Sequence, residues 1–228
     1  MSRDLFLVVF DCDGTLVDSQ HVIVAAMEAA FRAHDLPPLP REDVLGIVGL
    51  SLDEAVSTLL PDGSRALITG VRDAYKNGFA DILERPDLAE PLYDGARETL
   101  ARLCDHEDLV LGVATGKSDR GLARILAEHE LTDHFVTLQT ADHSPSKPHP
   151  GMLERAMREA GARPERTVII GDTSFDMMMG RNAGAACLGV NWGYHDHSRL
   201  VEAGAHSVLD RFSQVAPALG ALWALDDL

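Results

Sequence analysis

Lysine is nearly missing from this sequence: Lys76, Lys117 and Lys147 are the only three in 228 residues. Basic residues number 20 against 36 acidic ones, a formal charge of -16. Such a field repels phosphate backbones, which argues against nucleic acid as a partner; an anionic ligand would need concentrated positive charge in its pocket. Cysteine is as scarce. Cys12, Cys104 and Cys187 are far apart and odd in number, neither a disulfide framework nor a zinc spacing, and they fit a reducing, cytoplasmic compartment. No apolar stretch approaches the roughly 18 residues that a membrane span requires. The early run Leu5–Phe10 is too short for a signal peptide and has no small-residue cleavage site behind it. Neither membrane insertion nor secretion is expected.

What the chain does have is apolar bulk, 46% of its residues, enough for the core of one α/β domain with a small insertion and too much for wholesale disorder. Leu5–Phe10 reads as a strand buried on both faces. Helix follows helix from there: about Ser19 to His34, then Ser51 to Leu60 behind a capping box Ser51-Leu-Asp-Glu54, then Ser64 to Leu83. The prolines of Pro37-Pro-Leu-Pro40 and the turn Pro61-Asp-Gly63 separate them. Beyond them the pattern alternates. Strands at 109–114, near Phe135–Leu138, at Val168–Ile170, at Ala186–Val190 and near Ser207–Leu209 are interleaved with helices, one of them starting with Pro150 at its first position. Alternation of this kind predicts an α/β fold, a parallel sheet flanked by helices, with the helical block after the first strand forming a separate cap. The acidic pair Asp226-Asp227 reads as a solvated end.

Ligands of open parallel sheets bind at the carboxyl ends of the strands. Four polar clusters fall there: Asp11–Thr15, Thr115–Ser118, Lys147, and Gly171-Asp172 with Asp176. Asp11 is ionised at neutral pH by its ordinary pKa and can attack phosphorus without an activating base. Asp13, two residues on, can protonate the leaving oxygen and then deprotonate the hydrolytic water. Gly14 permits a sharp turn against an anion. Carboxylates facing a phosphate need an intervening cation; Mg2+ suits them, with Asp172 as a further contributor and Asp176 orienting the site from the next helical turn. Thr115, Gly116 and the following helix start favour an anion, and Lys147 supplies a positive charge that would hold Asp11 ionised. One cation can serve this set only if Asp11 and Asp172 lie within about a nanometre.

In order, Asp11-Cys-Asp-Gly-Thr15, Ala114-Thr-Gly-Lys117, Ser146-Lys-Pro148 and Gly171-Asp-Thr-Ser-Phe-Asp176 resemble the four motifs of the haloacid dehalogenase-like (HAD) superfamily, over roughly residues 5–210. Leu16-Val-Asp-Ser19, Tyr93-Asp-Gly95 and Asn182-Ala-Gly184 are similar to phosphoglycolate phosphatase and its relatives. The resemblance implies a Rossmann-like core at 1–16 and 88–228 and a C1-type helical cap at 17–87. It implies a phosphatase with Asp11 as nucleophile, Asp13 as acid/base, and Thr115 and Lys147 on the phosphoryl group. Mg2+ would sit on Asp11, the backbone carbonyl of Asp13, and Asp172. The expected substrate is a small phosphorylated metabolite, phosphoglycolate or a sugar phosphate, contacted by the cap loop Gly46–Ser51 and by Arg72 or Lys76. A monomer is the default expectation, with a dimer as the alternative.

Two alternatives stand beside this reading. A β-phosphoglucomutase-type enzyme shares core and cap, but its cap loop carries an arginine where this chain has Leu52. A non-catalytic binding protein of the same fold should have lost the nucleophile, the acid/base or the lysine, and all are present. Gly112–Ser118 has three residues between its glycines where a nucleotide-binding P-loop needs four. The ten histidines form no zinc set, and Cys12 and Met177–Met179 read as packing.

Overall fold

The computed structural model describes residues 5–83, 85, 88–225 and 228. The far edge of the cap expected at residue 87, and the pair Asp226-Asp227, lie outside the described residues.

Leu7, Val8, Val9 and Phe10 are all fully buried, and a strand can bury consecutive residues only when both sheet faces are covered. They form β1 (Phe6–Phe10), which pairs in parallel with β2 (Leu109–Ala114) on one side and β4 (Thr167–Gly171) on the other. With β3 (Thr137–Gln139), β5 (Ala186–Val190) and β6 (Ser207–Leu209) the sheet has six strands in the order β3-β2-β1-β4-β5-β6, every pairing parallel. The chain order reverses at β1, the switch point where a crevice opens beyond the strand ends. Side chains alternate about the sheet: Val8, Phe10 and Cys12 pack with Leu100, Leu122 and Phe212 on one face, Leu7 and Val9 with Met152, Ile169, Met177 and Met179 on the other.

Among the described residues the connection leaving β1 first forms an insert of helices α1 (Gln20–Arg32), α2 (Arg41–Leu45), α3 (Leu52–Leu59) and α4 (Arg65–Leu83). They bury an apolar cluster of their own, with Met27, Phe31, Val44, Val56 and Val71 at its centre. The outgoing and returning connections of this insert are tied together, Asp18 N–H donating to the Pro91 carbonyl (2.8 Å) and Tyr93 N–H to that of Leu16 (3.0 Å). The core helices follow as α5 (Ala96–Cys104), α6 (Asp119–Glu128), α7 (Gly151–Ala160), α8 (Ser174–Asn182), α9 (His197–Ala203) and α10 (Val215–Trp223). No described helix is long and apolar enough to cross a membrane.

Local expectations needed correction in a few places. The five-residue α2 is too short for a periodic signal. Ser51 caps α3 by accepting from Glu54 N–H (3.4 Å), but the reciprocal half of the box does not form there. It forms instead at α8, where Thr173 and Asp176 satisfy each other's backbone N–H groups. α7 starts at Gly151, with Pro150 just outside as its cap, and the strand expected near Phe135–Leu138 begins only at Thr137.

Candidate active site

Strand β1 ends at Phe10, and the chain bends so that the Asp11 carboxylate turns back to accept from Cys12 N–H (2.6 Å). Cys12 points into the core. Gly14 follows with φ +78°, a left-handed turn that favours glycine. A methyl group there would stand 2.2 Å from Asp172 Oδ2, so the same glycine lets the β4 loop close on the β1 loop. The Thr15 hydroxyl donates to Asp172 Oδ1 (2.8 Å) and Tyr194 N–H to Oδ2 (2.9 Å). Asp172 is thereby locked facing Asp11. Carboxylate oxygens of Asp11, Asp172 and Asp176 all lie within 4.8 Å of one another, far inside the nanometre that one shared cation allows. The sequence reading gave Asp176 only an orienting part; the fold makes it a full member of the trio.

Lys147 is enclosed among these acids. Its ammonium stands 2.9 Å from Asp11 Oδ2 and donates to Asp176 Oδ1 at 2.6 Å. Asp176 Oδ2 accepts from the Thr173 backbone (3.1 Å) and hydroxyl (2.6 Å). One ammonium thus faces three buried carboxylates. Burial holds the Asp11 carboxyl well above its usual range; Lys147 pulls it down, while Asp176 and Asp172 push it further up. Asp172 is pushed to about 7, first by burial and then by Asp176, against the hydrogen bonds from Tyr194 and Thr15 and the charge of Lys147. Lys147 thus acts in the expected direction on Asp11, favouring the ionised form, while desolvation and two like charges act against it. Lys147 itself is held above its ordinary value, the loss of hydration being more than offset by Asp11 and Asp176. Asp11 Oδ2 is buried, and its partner among the described residues is the Lys147 ammonium, an ion pair at 2.9 Å without the alignment of a full hydrogen bond.

Asp13 takes a different set of partners. Its Oδ1 accepts from the Ser19 hydroxyl in a short contact and pairs with Lys117 Nζ at 2.9 Å. Ser19 N–H in turn donates to the Tyr194 hydroxyl (3.2 Å). Thr115, fully buried after β2, accepts from Lys117 N–H (3.2 Å). Gly116 meets the insert itself: a methyl group on it would lie 2.3 Å from the Leu50 carbonyl oxygen. The rest of the loop 46–51 is anchored on the core as well. Ser51 N–H donates to the Ser146 hydroxyl (2.8 Å), and the Gly46 carbonyl lies 3.1 Å from His195 Nε2. His195 Nδ1 accepts from Ser174 N–H (3.0 Å), so its proton is on Nε2 and it donates to Gly46. Burial and Arg199 push its pKa down, which favours that neutral form.

Residues 8–190 match the haloacid dehalogenase-like hydrolase family. The chain belongs to that family. It is 35% identical over 224 residues to a probable phosphatase, IndB, of Dickeya dadantii, covering 96% of this chain and 95% of the relative. It is 28% identical over 215 residues to the phosphoglycolate phosphatase of Photorhabdus laumondii, covering 93% and 92%. A solved hydrolase structure from Pseudomonas syringae superposes with a TM-score of 0.83 at 25% identity, over 95% of this chain and 98% of that one.

In this HAD-like hydrolase the strand ends bring together Asp11, Asp172, Asp176 and Lys147, with Asp13, Gly14, Thr115 and Gly116 around them. Arg72 and Lys76 do not join. Arg72 binds Asp53 (2.9 Å) and Asp73 (2.8 Å), and Lys76 is exposed. The face of α4 that looks toward Lys117 carries Tyr75 and Phe79 instead, their ring centroids 5.5 Å apart. Sequence reasoning also missed Glu90, Tyr194 and the grip of Lys117 on Asp13. The scarcity of lysine was a signal for Lys117; Glu90 and Tyr194 reach the site through tertiary packing and leave no spacing pattern.

Proposed function

We propose that this chain is a Mg2+-dependent phosphatase that hydrolyses a small phosphomonoester through an aspartyl phosphate on Asp11. The observation that carries the proposal is the buried Asp11 oxygen paired with Lys147 within a carboxylate trio that, fully ionised, is two positive charges short. That imbalance fits a divalent cation: Asp11, Asp172 and the Asp13 carbonyl would hold it, with Asp176 alongside. When bound, Mg2+ supplies the two missing positive charges and keeps the carboxylates ionised.

The protein's own groups account for the remaining chemistry. An Asp11 carboxylate oxygen attacks phosphorus as the bond from phosphorus to the alcohol oxygen breaks. Asp13 gives its proton to that oxygen. Lys147, Thr115 and the amides from Gly116 onward bind the phosphoryl oxygens and stabilise the charge that spreads over them. In the second half Asp13 takes a proton from water, whose oxygen displaces the phosphate from Asp11. The helices of residues 17–87 act as a cap, and the anchored loop 46–51 corresponds to its closed position, which keeps bulk water from the intermediate. Leu52 weighs against the mutase reading, and the convergence of Asp11, Asp13 and Lys147 against a non-catalytic one.

The test is phosphate release from a panel of monoesters with Mg2+ or with EDTA. Release is expected with the metal only, and Asp11→Asn is expected to lower it by three orders of magnitude or more (~4 kcal/mol of barrier). Beryllium fluoride with Mg2+ should raise the melting temperature of the wild type and not that of Asp11→Asn. Full activity in Asp11→Asn, or no release from any ester, overturns the proposal.

A further inference from the structure

A second ammonium, that of the partly buried Lys117, stands beside Asp13, the proposed acid for the leaving alcohol. Lys117 Nζ lies 2.9 Å from Asp13 Oδ1 and 3.1 Å from Glu90 Oε1. Glu90 belongs to the connection returning from the insert, and its side chain is only 1% exposed. Its other oxygen pairs with Arg124, which also binds Glu128 at 2.9 Å, and His129 Nε2 sits 2.8 Å from its backbone carbonyl. Two cations, Lys117 and Arg124, therefore face three carboxylates, Asp13, Glu90 and Glu128. Opposite Lys117 the insert offers rings, with the ammonium 5.9 Å from the centroid of Phe79 and Tyr75 behind it. The insert cations expected to grip a substrate, Arg72 and Lys76, are respectively paired outward and exposed.

We propose that the alcohol released from the ester is uncharged, and that Glu90 enforces this by cancelling the charge of Lys117 beside the leaving group. The inference rests on the phosphatase reading above and decides between the two substrate types expected from the sequence. A glycolate carboxylate or a second phosphate would enter a largely buried site where Lys117, like Lys147, is already answered by carboxylates, and desolvating an anion without a counter-charge is costly. Hydroxyl groups incur no such penalty: they can hydrogen-bond at Lys117 while carbon–hydrogen faces rest on Tyr75 and Phe79. Glu90 is thus a specificity determinant acting through Lys117, a positioning residue that itself takes no part in the proton transfers.

The test uses two esters of nearly equal size, 2-hydroxyethyl phosphate and 2-phosphoglycolate, which differ in the charge of one group, together with pyrophosphate. Phosphate release with Mg2+ is measured in the wild type and in Glu90→Gln. The wild type is expected to favour 2-hydroxyethyl phosphate over 2-phosphoglycolate in kcat/KM by about tenfold or more. Glu90→Gln should narrow that ratio by about threefold or more, chiefly through a lower KM for the anionic ester. A residue that merely supports the fold would lower both rates and leave the ratio alone, so an unchanged ratio overturns the part given to Glu90. A wild-type preference for 2-phosphoglycolate or pyrophosphate overturns the inference and leaves the phosphatase reading standing. No release from these three or from p-nitrophenyl phosphate overturns that reading and the inference with it. The wild-type ratio decides the charge rule even if the variant does not fold.

Discussion

At Gly14, backbone conformation and site geometry make the same demand. The φ of +78° disfavours a side chain, and any Cβ would strike the Asp172 carboxylate. Gly14→Ala is expected to destabilise the protein by about 1–2 kcal/mol from the left-handed conformation alone, and by more from displacing Asp172. A urea midpoint lowered accordingly, with a smaller thermal shift on adding Mg2+, would bear this out; an unchanged midpoint would refute it. The residue types at this site were legible because the chemistry is local in sequence: Asp11, Asp13, Gly14 and Thr15 follow one strand, and Lys147 and Asp172 follow others. The upward shift of the Asp11 carboxyl was not legible. It depends on how completely water is excluded and on Asp176 arriving beside it, and neither can be read from the order of residues.

Among the elements, the insert illustrates the same division. Helices α1, α3 and α4 announced themselves by apolar spacing and by the prolines and glycine between them, whereas α2 has a single buried residue, Val44, and no period to show. Which face of α4 meets the core was not legible: Arg72 and Lys76 stood out by their charge, yet Tyr75 and Phe79 turn toward Lys117. The loop 46–51 was expected at the site and does reach it, through Leu50 on Gly116, Ser51 on Ser146 and Gly46 on His195. Gly116→Ala sets a methyl group against the Leu50 carbonyl, a backbone atom that cannot swing aside as a side-chain tip would. Lifting the loop forfeits the two hydrogen bonds, at about 1 kcal/mol each, so kcat/KM is expected to fall tenfold or more. Faster hydrogen exchange at amides 46–51 should accompany the loss while exchange in the sheet stays unchanged. Wild-type kinetics in this variant would show that the loop contact does not matter for turnover.

For the whole molecule, the excess of acid concentrates into a dependence of stability on pH and metal. The Asp172 carboxyl moves from an ordinary 3.8 to about 7 on folding without metal, and Asp11 shifts in the same direction. Between those values the folded protein keeps a proton that the unfolded chain has already released. The unfolded state therefore binds fewer protons, and stability falls as pH rises through this window, by up to about 1.4 kcal/mol per pH unit for each such group. Below about pH 4 both states hold the proton and the penalty vanishes. Mg2+ binds the ionised carboxylates and so competes with the proton, offsetting the loss where it is largest. The rise in melting temperature on adding Mg2+ is therefore expected to be larger at about pH 7.5 than at about pH 5.5, while in EDTA the protein should melt lower at the higher pH. Scanning calorimetry at the two pH values checks both signs together. Equal Mg2+ shifts at the two would mean that the trio is already ionised without metal, which would remove the charge imbalance on which the metal site was argued.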